Sequence, residues 1–256
     1  MYKSFTAEQY KKTLGLAPDY KVDGALCYGT SFKDETIATL KECLVEIGVK
    51  AKLTPLEHRY VQSINELNVG DKKIWFEVGY GGALLSEFLH LACLFGSKKN
   101  ILLGSCGGLK PGMKPGDFII PTSSYALESS ARMYNREDPI QYSDNQLSES
   151  LKSKLVIDDN KIWQGPMVTC QAILGQTAED VQQWSSDDYF GVEMEASTVF
   201  AVSNHFKIPS AACVYVSDNL IENHTVLSDN YAEQAEMRQK RKHHQICAAL
   251  QELLSK

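Results

Sequence analysis

Along the chain, short runs of consecutive apolar residues alternate with stretches in which apolar positions recur every three or four residues. This is the pattern of buried strands interleaved with amphipathic helices. Gly24-Ala25-Leu26-Cys27-Tyr28 reads as a buried strand, followed by the turn Gly29-Thr30-Ser31 and a helix over 33–47. Further strands are predicted at 49–56 and 73–78, with Arg59 on the segment between them. The second of these runs into another glycine turn, Gly79-Tyr80-Gly81-Gly82-Ala83, which opens an apolar helix over 84–95. His90 on that helix reads as a packing histidine. The run Asn100-Ile101-Leu102-Leu103 is near-continuously apolar, as strands at the centre of a parallel sheet are, and it ends in a third glycine turn, Gly104-Ser105-Cys106-Gly107-Gly108-Leu109. A strand at 116–121 follows a Pro- and Gly-containing loop.

Residues 122–162 are polar, with Tyr125, Arg132, Tyr134, Arg136 and Tyr142, and are predicted to form an insertion or a lid over a cleft. Beyond them the pattern predicts a strand at 164–170, a helix at 179–185, a strand-to-helix turn at 189–196 with its helix reaching about 206, a strand at 210–216 and a terminal helix. Residues 1–22 read as a short helix and a lead-in. Three strand-to-glycine-turn junctions in the first half point to a cleft at the C-terminal ends of sheet strands, where open α/β sheets bind ligands. Free backbone N–H groups at such turns can hold an anion, although glycine turns also arise for steric reasons alone.

Three acids stand out against this pattern. Glu193, Glu195 and Asp218 lie at the edges of apolar segments, within Gly191-Val192-Glu193-Met194-Glu195-Ala196 and Val214-Tyr215-Val216-Ser217-Asp218. A buried carboxylate is costly unless it is paired or hydrogen-bonded, so each calls for a polar partner. The plainest reading of Glu-x-Glu is a helix start, where the positive end of the dipole favours anions.

At 256 residues, 43% hydrophobic and 23% charged, the chain fits one α/β domain over 1–256, with no internal repeat or low-complexity linker. A net charge of −6 excludes a general nucleic-acid binder. The basic cluster from Arg238 to His244 reads as a solvated face of the terminal helix. Seven cysteines show no CxxC and no metal-ligand spacing, and they read as reduced core residues, with no metal expected. No apolar run approaches the roughly 20 residues needed to span a bilayer, so the expectation is a cytoplasmic protein.

Taken together, the motifs at 191–196, 216–218, 104–109 and 116–121 resemble the nucleoside phosphorylases of the purine nucleoside and uridine phosphorylase type, in order from about residue 24 to the C-terminus. The resemblance implies a single three-layer α/β/α domain with a mixed, partly barrelled central sheet, assembled as a dimer or a hexamer with a site shared between subunits. It implies cleavage of a nucleoside's N-glycosidic bond by inorganic phosphate as co-substrate, with no cofactor. Nucleosidases in the same superfamily use water instead.

Residue by residue, the resemblance implies that Glu195 holds the ribose hydroxyls over Met194 while Glu193 orients the sugar or base. It implies that Asp218 is the general acid at the purine N7, positioned by Ser217 and approached by Arg238. Cys106 and Gly107 belong to the same nucleoside site. On the phosphate side it implies Gly29, Ser105 and Lys33, the last where an arginine is usual, with Arg59 reaching a neighbouring subunit. Leu102 stands where many phosphorylases place another phosphate arginine, and a leucine cannot act as a bidentate anion clamp. The Ser-Asp loop favours purines. Gln176 is similar to the uracil-reading glutamine of the uridine branch, but Ala178 replaces the arginine expected after it, and Ala172 replaces the aromatic that stacks on the base. A nucleosidase, a uridine phosphorylase and a non-catalytic nucleoside-binding protein are the alternatives to a purine nucleoside phosphorylase.

Overall fold

The apolar runs form the centre of one ten-stranded sheet. The computed structural model describes residues 1–56, 64–127, 129–156, 160–222, 225, 227 and 229–255. In chain order its elements are α1 (Ala7–Thr13), β1 (Gly24–Gly29), α2 (Lys33–Glu46), β2 (Lys52–Pro55), β3 (Asn65–Val69), β4 (Lys72–Gly79), α3 (Gly82–Leu94) and β5 (Asn100–Gly108). There follow β6 (Phe118–Ala126), α4 (Ser129–Arg132), β7 (Ile140–Tyr142), α5 (Asn145–Ser153), β8 (Ile162–Thr169), α6 (Ala178–Ser186), β9 (Gly191–Glu193), α7 (Ala196–His205), β10 (Ser210–Asn219) and α8 (Ala235–Leu254).

The strands pair in the order β2-β3-β4-β1-β5, and β5 then pairs with both β9 and β10. Because β9 continues through β8 and β6 back to β10, these five strands close into a ring. The ring leaves no free edge among its members, which closure alone achieves. Side chains alternate across it. Phe118, Ile120, Cys213 and Tyr215 face a core shared with α2, α5 and α8, whereas Ile119, Val214 and Val216 join Cys106 and Met167 in a separate cluster inside the ring. On the opposite side of β1, β4 and β5, residues Ala25, Cys27, Trp75 and Leu102 pack against α3 and α7. Helices therefore cover both faces of a mixed, partly barrelled sheet, as the resemblance implies.

Three expectations are corrected. Residues 122–162 are part of the sheet and its cover: they complete β6, form α4, β7 and α5, and begin β8. Asp144 caps α5 by accepting from the Leu147 N–H at 2.8 Å, and Leu147, Leu151 and Leu155 enter the core beside α8. The basic cluster on α8 is not a wholly solvated face, because Arg241 and Lys242 are buried. Lys242 pairs with Glu35 on α2 and Arg241 donates to Asn160, so each cation has a partner where α8 packs down. The sequence also hides β3, which forms an antiparallel meander with β2 and β4. His90 does pack as predicted, with its ring against those of Tyr10, Tyr134 and Phe206, and burial lowers its pKa to about 4.

Candidate active site

All three glycine turns meet in register. Gly29, the last residue of β1, lies opposite Gly79 of β4 on one side and Gly104 of β5 on the other. After β4 the chain turns through Gly81, whose φ of 87° is a left-handed value that favours glycine, and α3 begins. At Gly82 a side chain would collide with the Thr198 hydroxyl on α7, so the glycine lets α3 and α7 approach closely at their N-terminal ends.

Glu195 points into this junction. Its carboxylate is buried, accepts from the Gly81 N–H at 2.7 Å, and lies so close to Gly29 that a Cβ there would overlap it. Burial, and next the charge of Glu193, push the Glu195 carboxyl up to about 8, while the N–H groups of Gly81 and Met194 favour the ionised form. Near neutral pH such a group offers an O–H donor as well as an acceptor.

Glu193 is used differently. One of its oxygens accepts from the Glu195 and Ala196 N–H groups, both at 2.7 Å, and the other accepts from the Thr169 hydroxyl at 2.5 Å. Thr169 itself accepts from the Ser197 N–H at 2.9 Å and bonds the Ser124 hydroxyl at 2.8 Å. Glu193 thus caps the start of α7, where free N–H groups and the helix dipole favour an anion. The helix-start reading holds for Glu193, while Glu195 turns to the Gly29–Gly81 junction.

Asp218 is set by β5. Gly107 lies opposite Val192 of β9 on one side and opposite Asp218 of β10 on the other. Two interstrand spacings, about 10 Å at the backbone, therefore separate the glutamate strand from the aspartate strand. A bulge between Val216 and Asp218 re-aims the end of β10. Both Ser217 and Asp218 are buried there, and the Ser217 hydroxyl bonds the Asp218 carboxylate and the Cys106 carbonyl. Cys106 lies between the two halves: after burial, the charges of Asp218 and then Glu193 contribute most to holding its thiol protonated.

The phosphate-side residues are partly assembled. Gly29 meets Glu195 as described. Ser105 lies opposite Tyr215 on β5 and is partly exposed. Lys33 opens α2, and its charge acts on Glu77, a residue the sequence reading missed. Glu77 is buried on β4 with neither carboxylate oxygen hydrogen-bonded, and burial raises its pKa to about 8 against the pull of Lys33. Leu102 is fully buried in the apolar layer beneath α3 and α7. Arg59 lies outside the described residues.

On the base side, Ala172 is exposed and Gln176 follows the 3-10 turn Ile173–Gly175. Gln171 reaches further in: a Cβ at Gly82 would lie 2.7 Å from its amide nitrogen. Arg238 sits in the first turn of α8, whose Met237 and Arg241 pack against Gly116. The Gly116 N–H donates to the Val216 carbonyl at 2.8 Å, which ties the start of α8 to the strand carrying Asp218. Thr169 and Gln171 were the polar residues to notice in sequence, since they sit at the end of a predicted strand as the acids do. The 840 Å³ cavity between α1 and α3, lined by Tyr10, Leu14, Phe88 and His90, reaches Glu77 but not Gly29, Ser105, Glu195 or Asp218. Among the described residues no helix is long and apolar enough to cross a membrane.

Comparisons with known proteins bear on the fold and the family. A guanosine phosphorylase from Halorubrum lacusprofundi is 28% identical over 118 residues, covering 46% of this chain and 49% of that protein. A DeoD-type purine nucleoside phosphorylase from Mycoplasma genitalium is 29% identical over 144 residues, covering 55% of this chain and 57% of that protein. The matches thus span about half the length of these curated relatives. Among solved structures, uridine phosphorylase from Vibrio fischeri ES114 superposes with a TM-score of 0.73 at 16% identity, covering 92% of this chain and 93% of that one. A 5'-methylthioadenosine/S-adenosyl homocysteine nucleosidase from Campylobacter jejuni gives 0.72 at 15% identity, covering 90% and 98%. At these identities the likeness is one of fold. The family model for the phosphorylase superfamily matches residues 29–252, from the Gly29 turn through both acidic strands to the end of α8, and the chain belongs to that superfamily.

Proposed function

We propose that the protein is a purine nucleoside phosphorylase, cleaving the N-glycosidic bond with inorganic phosphate to give free base and ribose 1-phosphate. The observation that supports this reading is the pairing of Gly107 with both Val192 and Asp218, which brings the strand leading to Glu195 and the strand carrying Asp218 to two sides of one β5 residue. Glu195 holds the ribose hydroxyls above Met194 and stabilises the positive charge that the sugar ring develops as the bond breaks. Asp218, held by Ser217, donates to N7 of the departing purine, and Arg238 assists from α8. Phosphate enters between Gly29 and Ser105, with Lys33 supplying charge and Arg59 of a second copy completing the site. Gln176 and Ala172 border the base.

A second reading, hydrolysis by a nucleosidase, is favoured by two observations. Leu102 fills apolar core where a phosphate arginine would stand, and Lys33 acts on the buried Glu77. Incubation with inosine, guanosine, adenosine and uridine, each with and without phosphate, separates the readings. Phosphate-dependent release of purine with equimolar ribose 1-phosphate supports phosphorolysis. Release of free ribose at a rate indifferent to phosphate makes the protein a nucleosidase, a preference for uridine moves it to the pyrimidine branch, and no release beyond one base per chain leaves a binding protein.

A further inference from the structure

Away from the cleft, α2 and α8 pack side by side and bring together a set of soft ligands. Cys43 lies in the last turn of α2 and is fully buried. His243 and Cys247 sit four residues apart on α8, and therefore on one face of that helix. One donor atom from each of the three residues lies within 4.8 Å of the other two. We propose that Cys43, His243 and Cys247 form a binding site for a thiophilic divalent cation, with zinc as the best match.

The chemistry of the set supports this. Two thiolates and one imidazole are the ligands that favour zinc over magnesium or calcium, which take oxygen. In a tetrahedral zinc site with Zn–S near 2.3 Å and Zn–N near 2.0 Å, neighbouring ligand atoms stand roughly 3.5–3.8 Å apart. The Cys247 sulfur is 3.8 Å from His243 Nδ1 and 4.0 Å from Nε2, so small rotamer adjustments close the set around an ion.

A fourth residue orients the histidine. Glu46, three residues after Cys43 on α2, places a carboxylate oxygen 3.2 Å from His243 Nε2. A carboxylate there keeps the proton on Nε2 and leaves the Nδ1 lone pair, on the nitrogen nearer the Cys247 sulfur, free for the metal. Cys43 donates its thiol hydrogen to the His243 carbonyl at 3.3 Å. Binding releases this proton and that of Cys247 to solvent, and the bound ion then links α2 to α8. The exposed Glu46 side chain marks the entry path, and the remaining coordination position is left to water or to Glu46 itself. Sequence spacing conceals the set because 200 residues separate Cys43 from His243.

The test uses untagged full-length protein, reduced, loaded with zinc and passed over a desalting column. Elemental analysis should find about one zinc per chain in the wild type and less than a tenth of that in Cys43→Ser/Cys247→Ser. His243→Asn, which leaves both sulfurs in the core, guards against misfolding and should bind at least tenfold more weakly. Zinc should raise the wild-type melting temperature by roughly 5 °C at saturation and leave the double variant unmoved, and cobalt should produce a thiolate charge-transfer band. The proposal is overturned by wild-type protein that retains no zinc, by a double variant that retains as much as the wild type, or by a Cys43–Cys247 disulfide in protein alkylated at the moment of lysis.

Discussion

Glu195 presses its carboxylate against the backbone of Gly29, leaving no room for a methyl group at the end of β1. Glu195 and the first glycine turn are therefore fitted to each other. Gly29→Ala must displace the carboxylate, and a shift of about 1 Å at a reacting group can cost on the order of 10²-fold. The expected result is a fall of that size in kcat/KM with a melting temperature close to wild type. Undiminished turnover would show that Glu195 does not need this position.

Asp218→Asn keeps the shape of the β10 bulge but removes the transferable proton. The rate on natural purine nucleosides should fall by roughly 10²–10⁴-fold, and Ser217→Ala, which loses only the hydroxyl that holds the carboxylate, should fall less. Steady-state kinetics on inosine compare the two. An Asp218→Asn enzyme as fast as wild type would make the aspartate structural.

The two glutamates should separate cleanly. Glu193 satisfies two backbone N–H groups and the Thr169 hydroxyl, so Glu193→Ala leaves buried donors unpaired and should cost about 2–4 kcal/mol of stability. Glu195→Gln should instead weaken riboside binding and turnover together while the protein melts near the wild-type temperature. Thermal melting and KM, measured on both variants, check the division; the reverse pattern contradicts it.

Glu77 and Glu195 share a consequence for stability. Burial raises both carboxyls from 4.5 to about 8. The folded chain therefore binds more protons than the unfolded chain between those values, and stability falls as pH rises through that window. Their contribution is fully present below about 4.5 and is lost above about 8. Glu77→Gln should flatten the decline in unfolding free energy between about pH 5 and pH 9, by an amount on the order of a few kcal/mol, as read by denaturant titration. An unchanged slope would mean that Glu77 keeps an ordinary pKa.

The central strands were legible because their apolar runs are near-continuous, and the burial of Asp218 and Glu195 was legible because both stand at the edges of such runs. The separate task of Glu193 was not legible, since a capping carboxylate and a substrate-holding one look alike two residues apart. The helix α5 escaped notice because Leu147 and Leu151 are spaced one turn apart within a polar stretch. Arg241 and Lys242 looked solvated because their partners, Asn160 and Glu35, lie far off in sequence. Glu77 was hidden between apolar neighbours on β4, where only the fold reveals that neither of its carboxylate oxygens is hydrogen-bonded.

Closure of the β5–β10–β6–β8–β9 ring has a further effect. With Val192 and Asp218 both paired with one glycine of β5, the spacing between the two acidic strands works as a fixed gauge: no hinge can widen it without opening the ring. On the proposed function, a change of base or of attacking nucleophile must therefore be made in the segments hung around the rim, such as the Gln171–Gln176 turn, and in the residues at the Gly29 junction. The same frame then keeps one distance between its two acidic strands whatever the rim carries.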